Sequence, residues 1–217
     1  MKQTVINAIM EHRIIAIVRG VKEDKLIPLA QALYKGGIRL IEITYSADGS
    51  VTDEETARRI GCLAEHFADK MLVGAGTVLT EKQVLLTKQA GGLFIISPNT
   101  DESVIGESNR LGLVSIPGAL TPTEITAAYK VGADFVKLFP ISGIGANYVK
   151  AVKAPLKHIP MLAVGGIDES NIAEYLNAGA CGAGVGGNLA NRKWVENGEF
   201  NKIIEVAQKL VAAAKEY

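Results

Sequence analysis

A lysine and a glutamate lie within two of the most apolar stretches of this 217-residue chain. Lys137 belongs to the stretch FVKLFP, and Glu42 belongs to the stretch LIEIT. Short apolar runs rich in β-branched residues are typical of buried strands. A buried charge costs free energy unless it is paired or neutralised. Each residue is therefore an isolated structural charge, half of a buried ion pair, or part of a reactive site.

Burial favours the reactive interpretation of Lys137 and Glu42, because a buried ion pair adds little net stability. Desolvation lowers the pKa of a lysine, so the neutral amine of Lys137 could attack a carbonyl carbon. The same desolvation raises the pKa of a carboxyl group, so Glu42 could take and return protons near neutral pH. We therefore predict catalytic roles for both residues.

An alternation of short apolar runs and amphipathic stretches must position these two residues. Eight such runs occur, at residues 14–19, 40–44, 71–76, 93–98, 113–118, 134–140, 161–166 and 182–187. Many stretches between them end in glycine, and several begin with Thr, Asp or Ser near a Glu, which are helix boundary signals. Runs that are apolar throughout suit parallel strands covered on both faces. We predict one (β/α)8 TIM barrel over residues 1–217 with a short N-terminal helix, and an open doubly wound sheet is the alternative.

Two glycine pairs mark a candidate anion site. Gly165 and Gly166 end the seventh run, and Gly186 and Gly187 end the eighth, followed by Asn188. One such pair would be explained by a tight turn without a ligand. In many barrels, a phosphate lies on backbone N–H groups of the loops after strands seven and eight, and glycine lets the backbone approach closely. Two pairs at these positions therefore predict an anion site.

Arg19 ends the first run, Thr77 follows the third, and both are candidate ligands for a carboxylate. A guanidinium group holds a carboxylate through two parallel hydrogen bonds, and a threonine hydroxyl can donate another. The alternatives are an arginine whose stem packs on the barrel rim and a threonine that caps the helix beginning near LTEKQ. Pro98, at the end of the fourth run, completes the candidate substrate-binding residues.

Composition and charge exclude several classes of function. Lys plus Arg and Asp plus Glu each number 23, so no overall field favours nucleic acid or an anionic membrane. His12, His66 and His158 are far apart and the two cysteines form no CxxC pair, so we expect no metal site. No run approaches the roughly 18 apolar residues of a membrane helix, and the N-terminus does not read as a signal peptide. We expect a cytoplasmic protein with a small-molecule substrate.

Six motifs give the chain a resemblance to a known enzyme family. They are GGIRLIEIT around Glu42, VGAGTVLT around Thr77, FIISPNT around Pro98, IPGALTPTE around Pro117, FVKLFP around Lys137, and AVGGI at Gly165 and Gly166. With these motifs in order, the chain resembles the class I aldolases for 2-keto-3-deoxy-6-phosphogluconate (KDPG) and 4-hydroxy-2-oxoglutarate (KHG), including 6-phosphogalactonate-type members. The resemblance implies a homotrimer that requires no metal and no organic cofactor.

The resemblance also implies a role for each motif residue. Lys137 would form a Schiff base with the substrate ketone, and Glu42 would transfer protons through a water, so we expect the two side chains to lie within reach of one bridging water. Thr77 would contact the pyruvate carboxylate, and Gly165 with Gly166 would bind the phosphate. The expected reaction is reversible cleavage of a 2-keto-3-deoxy-6-phospho sugar acid to pyruvate and glyceraldehyde 3-phosphate.

Two positions depart from the family pattern. Members that cleave the phosphogluconate substrate often read EVTLRT, with an arginine where this chain has Ser46, and Arg19 would then compensate. Members often place a serine on the phosphate where this chain has Gly187. Backbone amides and Asn188 would then build the phosphate site, or the substrate would be unphosphorylated. The alternatives are a 6-phosphogalactonate-type or unphosphorylated 4-hydroxy-2-oxo acid substrate, and, less favoured, a non-covalent isomerase or a binding protein.

Overall fold

One parallel sheet organises the structure, a computed structural model that describes residues 1–215. Its strands are β1 (Ile14–Val18), β2 (Leu40–Thr44), β3 (Leu72–Gly76), β4 (Phe94–Ile96), β5 (Val114–Ile116), β6 (Gly118–Ala119), β7 (Val136–Leu138), β8 (Met161–Val164) and β9 (Gly182–Val185). The strand order is β5-β4-β3-β2-β1-β9-β8-β7-β6, and every pairing is parallel.

The sheet closes into a barrel because β5 and β6 are two halves of one strand position. They are separated only by Pro117 and form the two ends of the strand order. Proline has no amide hydrogen to donate, but the Pro117 carbonyl accepts a hydrogen bond from the Lys137 amide at 2.8 Å. The predicted barrel of eight positions is confirmed, and the open sheet is wrong. The fifth run differs from the prediction only in its interruption at Pro117.

Helices follow the strands and cover the outside of the barrel. They are α1 (Lys2–His12), α2 (Glu23–Lys35), α3 (Asp53–His66), α4 (Glu81–Gln89), α5 (Glu102–Arg110), α6 (Pro122–Lys130), α7 (Ala146–Lys153), α8 (Ile172–Asn177), α9 (Arg192–Asn197) and α10 (Phe200–Lys215). Thr52 and Thr121 begin α3 and α6 with reciprocal capping boxes, as the sequence pattern indicates. Helix α10 is described as far as Lys215, and residues 216–217 lie outside the described residues. No helix within residues 1–215 is long and apolar enough to cross a membrane.

Two apolar layers hold the barrel together. The outer layer packs between the strands and the covering helices. The inner layer fills the barrel and includes Ile15, Leu40, Phe94 and Phe135, with Val5 and Ile9 of α1 packed against them. Helix α1 therefore closes one end of the barrel, and the inward-facing Glu42 and Lys137 lie towards the other.

Candidate active site

Glu42 and Lys137 face each other across the barrel axis. Glu42 lies on β2 and Lys137 on β7, which are the second and sixth of the eight barrel positions. Glu42 is only 2% exposed and Lys137 only 7%. Both line an inner cavity of about 10 Å³, which has room for about one water molecule. No ion pair within 4.0 Å joins them in the described part of the chain. The geometry thus suits the expected contact through one water.

Burial opposes the charged form of both groups. It raises the pKa of Glu42 to about 7, and the positive charges of Lys137 and Arg19 oppose that rise. Burial also lowers the pKa of Lys137. The negative charge of Glu42 opposes this lowering, and the positive charge of Arg19 adds to it. Oε2 of Glu42 is buried without a hydrogen-bond partner among residues 1–215. A carboxyl group with a pKa near 7 can exchange protons at neutral pH, and a lowered pKa increases the neutral fraction of a lysine amine.

Two neighbours define the space around this pair. Nζ of Lys137 lies 4.5 Å from the ring centroid of Phe139, a cation–π contact when the lysine is charged. A Cβ atom on Gly76 of β3 would lie 2.6 Å from Cδ of Glu42, so a larger residue would displace the carboxyl group. Sequence reasoning missed Gly76, although a glycine inside a strand is a signal for close approach of a neighbour.

Arg19 and Thr77 meet in a cleft of about 350 Å³ at the carboxyl ends of β1, β2 and β3, called here the β1–β3 cleft. Nη2 of Arg19 donates to Oγ1 of Thr77 at 3.4 Å. Ser46 and Arg59 also line this cleft, and sequence reasoning did not find Arg59. The two predicted carboxylate ligands are therefore brought together beside a second arginine.

Thr77 does not cap the helix that follows it, because another residue has that role. The N-cap of α4 is Thr80, whose side chain accepts a hydrogen bond from the backbone of Gln83. The alternative prediction that Thr77 caps this helix is therefore wrong. Thr77 instead has a left-handed backbone, with a φ of 55°, which a threonine seldom adopts.

The predicted glycines line a second cleft of about 560 Å³, called here the glycine cleft. They are Gly165, Gly166, Gly186 and Gly187. Gly165 and Gly166 have φ values of 113° and 71°, in the region that favours glycine. Asn188 lines the same cleft, and its Nδ2 donates to the Ile167 carbonyl at 3.1 Å, which joins the two glycine loops.

The two clefts and the inner cavity are adjacent parts of one site. Arg19 and Gly20 line both clefts. Ile17, Val164 and Gly184 line both the glycine cleft and the inner cavity. A substrate that extends between the clefts would therefore pass over the cavity that holds Lys137 and Glu42. Among residues 1–215, no group of three or more His, Cys, Asp or Glu side chains is arranged to hold a metal ion.

Pro98 is placed apart from the other candidate residues. It follows the end of β4 by two residues, and its carbonyl lies where a Cβ on Gly118 would have to be. It is not among the residues that line either cleft or the inner cavity. The geometry shows local backbone packing at Pro98, and its role in substrate binding stays a prediction.

Comparison with known proteins identifies the family. A family model described as KDPG and KHG aldolase matches residues 5–206. The chain belongs to the KDPG and KHG aldolase family. The resemblance read from six short motifs is thereby confirmed, and so is the expectation of an enzyme of the aldolase type.

Individual aldolases agree with this assignment. The chain is 35% identical to the 2-dehydro-3-deoxy-6-phosphogalactonate aldolase of Escherichia coli (strain K12), covering 81% of this chain and 83% of that one. It is 31% identical to the 2-dehydro-3-deoxy-phosphogluconate aldolase of Pseudoalteromonas atlantica, covering 92% and 89%. A solved native KDPGal structure superposes with a TM-score of 0.83 at 34% identity, covering 94% of both chains. A KDPG aldolase structure from Legionella pneumophila, with pyruvate captured as a covalent carbinolamine, superposes with a TM-score of 0.84 at 25% identity, covering 94% and 97%.

Proposed function

We propose that this chain is a class I aldolase that reversibly cleaves a 2-keto-3-deoxy-6-phospho sugar acid to pyruvate and glyceraldehyde 3-phosphate. The observation that carries the proposal is a buried lysine opposite a buried carboxyl group, with the charged form of each disfavoured. Membership of the aldolase family supports the same chemistry. The covalent pyruvate carbinolamine of the Legionella pneumophila aldolase supports an amine nucleophile.

Lys137 begins the reaction. Its neutral amine adds to the C2 carbonyl carbon of the substrate, and loss of water from the carbinolamine gives an iminium ion. Ionised Glu42, acting through a water molecule, removes the proton from the C4 hydroxyl group. The C3–C4 bond then breaks, C4 becomes the aldehyde carbon, and the bonding electrons form an enamine with C3. Protonated Glu42 returns a proton to C3, and hydrolysis of the new iminium releases pyruvate and regenerates the amine.

The two anionic ends of the substrate occupy the two clefts. Arg19 and Thr77 hold the carboxylate in the β1–β3 cleft, since a guanidinium and a hydroxyl both donate to carboxylate oxygens. Backbone amides of the four glycines hold the phosphate in the glycine cleft, where the glycine backbone leaves room for close approach. Asn188 holds the two glycine loops together through the Ile167 carbonyl.

A second substrate has support from the relatives. The 6-phosphogalactonate aldolase is 35% identical to this chain and the phosphogluconate aldolase 31%. The two sugar acids differ in configuration at C4 and give the same products. Unphosphorylated 4-hydroxy-2-oxoglutarate is a further candidate, because Gly187 lacks a side chain that could donate to a phosphate. Values of kcat/KM for the three compounds rank these substrates directly.

Borohydride reduction in the presence of pyruvate tests the aldolase proposal. We expect a stable pyruvate-derived adduct on the Lys137 peptide, and neither adduct nor cleavage in Lys137→Ala. Lys153 is the matched control, since burial also lowers its pKa while its ammonium donates to the Lys157 and Ile159 carbonyls outside the site. Turnover without an adduct would favour a non-covalent isomerase, and ligand binding without turnover a binding protein. Either result would overturn the proposal.

We also propose that the protein works as a homotrimer, as its resemblance to the family implies, and that it is cytoplasmic, as its sequence led us to expect. Several apolar side chains are available for subunit contacts. Leu85, Tyr129 and Ile144 are each at least 39% exposed. Sedimentation equilibrium should give three times the mass of the chain, and a monomeric mass at micromolar concentration would contradict the trimer.

A further inference from the structure

Arg59 is a partly buried cation whose hydrogen-bonding capacity is unused. It lies on α3, the helix that follows β2, and the first turns of that helix lie at the carboxyl ends of the strands. Its Nε is buried without a hydrogen-bond partner, and its side chain forms no ion pair or hydrogen bond among residues 1–215. Buried polar atoms almost always have partners. The partner of Arg59 is therefore to be sought in a ligand.

The preceding residue shows what an ordinary arginine does on this helix. Arg58 is exposed, and its Nη2 lies 2.9 Å from Oε2 of Glu23 in a surface ion pair. Arg59 instead turns towards the barrel, next to the buried face of α3 formed by Thr56 and Ile60. It lines the β1–β3 cleft together with Arg19 and Thr77. The two adjacent arginines thus have different surroundings.

The carboxylates near Arg59 are already engaged by other groups. Asp48 also lines the cleft, and its Oδ1 accepts hydrogen bonds from the hydroxyl of Ser46 and the amide of Ser50. Glu55 lies one turn before Arg59, and its Oε2 accepts from the amide and the hydroxyl of Thr52. The charged residues that line the cleft are therefore two arginines and one satisfied aspartate, which favours an anionic ligand.

The cleft also contains the position at which the chain departs from the family pattern. Ser46 stands where phosphogluconate-cleaving members often have an arginine, and it lines the same cleft as Arg59. A serine side chain is short, and here it is bound to Asp48 and Ser50. Ser46 therefore leaves the cleft without a long cationic side chain at this position, whereas Arg59 lines the same cleft from α3.

We propose that Arg59 is a specificity-determining ligand for the carboxylate of the 2-oxo acid, beside Arg19 and Thr77. The inference rests on the proposed aldolase function. A planar guanidinium presents parallel N–H donors that match the two oxygens of a carboxylate. The phosphate has the glycine cleft on the other side of Arg19, so the carboxylate is the anion left for the β1–β3 cleft. Arg59 thereby supplies from α3 the positive charge that position 46 lacks.

Borohydride trapping at Lys137 with two donors tests this inference. Pyruvate carries the carboxylate, and pyruvamide keeps the ketone but replaces the carboxylate with a neutral amide. Arg59→Gln should raise the half-saturating pyruvate concentration about 10- to 100-fold, as expected for loss of a charge-assisted hydrogen bond. It should leave the value for pyruvamide within about twofold, below the effect of a lost hydrogen bond. Arg58→Gln is the matched control and should change neither value.

Two further variants keep the test decisive. Arg59→Lys retains the positive charge but lacks the planar guanidinium group. It should give a half-saturating pyruvate concentration between those of the wild type and Arg59→Gln, and it can be measured even if Arg59→Gln fails to fold. Ser46→Arg in the Arg59→Gln background should restore much of the affinity for pyruvate.

Three results separate the inference from the proposed function. An equal rise for both donors would make Arg59 merely structural, and an unchanged pyruvate value would remove it from the site. Either result overturns the inference while trapping at Lys137 stands. Absence of trapping with either donor in the wild-type protein would instead overturn the aldolase proposal itself.

Discussion

Gly76→Ala adds a single methyl group beside the carboxyl group of Glu42. Its Cβ would lie 2.6 Å from Cδ and 3.0 Å from Oε2 of Glu42. Carbon atoms in contact lie about 3.5–4.0 Å apart, so the carboxyl group must retreat by about 1 Å. The φ of Gly76 is not in the left-handed region, so alanine fits the backbone there. The variant therefore tests the position of Glu42 without changing Glu42 itself.

The size of the expected effect follows from how tightly Glu42 is enclosed. Glu42 is only 2% exposed, so its carboxyl group cannot move aside into solvent. A misplacement of about 1 Å can cost roughly 100-fold in rate, or about 2.7 kcal/mol in the activation barrier. We expect kcat for aldol cleavage to fall by about this factor. KM should change by less than about threefold, since an interaction used only in the transition state leaves substrate binding intact.

Two assays separate proton transfer from Schiff-base formation. Exchange of the pyruvate methyl protons in D2O, followed by NMR, reports on Glu42, whereas borohydride trapping reports on Lys137. Gly76→Ala should slow the exchange about 100-fold and retain trapping. Gly106→Ala, at an exposed position of α5, is the control, because a Cβ there has no neighbour within 4 Å. This variant should keep both activities and gain about 0.5–1 kcal/mol in stability. Wild-type exchange in folded Gly76→Ala would refute the assigned importance of the Glu42 position.

Three more predictions concern Glu42 and the glycine cleft. The carboxyl group of Glu42 has a pKa of about 4.5 in the unfolded chain and about 7 in the folded one. The wild type should therefore lose on the order of 3 kcal/mol of stability as pH rises between these values. Urea unfolding of Glu42→Gln should show no such loss. A Cβ added at Gly187 would have no neighbour within 4 Å, so Gly187→Ser should fit. Its hydroxyl should lower KM about two- to tenfold for the phosphorylated substrate but not for the unphosphorylated one. Equal changes would contradict phosphate binding at this position. Gly166→Ala must adopt a φ of 71°, so Tm should fall and KM for the phosphorylated substrate should rise, and unchanged kinetics would argue against that loop as the phosphate site.

The barrel could be predicted because its signals are local. A short apolar run predicts each buried strand. Capping residues such as Thr52 and Thr121 mark the helix starts within a few residues of sequence. Glu42 and Lys137 stand out for the same reason, since each is one charge in an apolar run. The interruption at Pro117 was not predictable, because its effect depends on which backbone groups the neighbouring strand presents.

Arg59 and Gly76 could not be selected from the sequence because their roles depend on three-dimensional packing. Arg58 and Arg59 are adjacent and chemically identical, yet one is paired at the surface and the other lines a cleft. The difference comes from the rotation of α3 about its axis, which buries Thr56 and Ile60. Gly76 is similarly one of several strand glycines, and only the direction of the Glu42 side chain makes its missing Cβ necessary.

The number of strands in the barrel has a chemical consequence for Lys137 and Glu42. In an eight-position barrel, the second and sixth positions are diametrically opposed, and here no ion pair within 4.0 Å forms between the two described side chains. A close ion pair would favour ammonium and carboxylate and so oppose the effects of burial on both pKa values. Without such a close ion pair, burial outweighs the attraction, since the pKa of Glu42 is raised and that of Lys137 is lowered. The barrel diameter thus prevents a close ion pair, so burial holds the pKa of Lys137 below its ordinary value and that of Glu42 above its own.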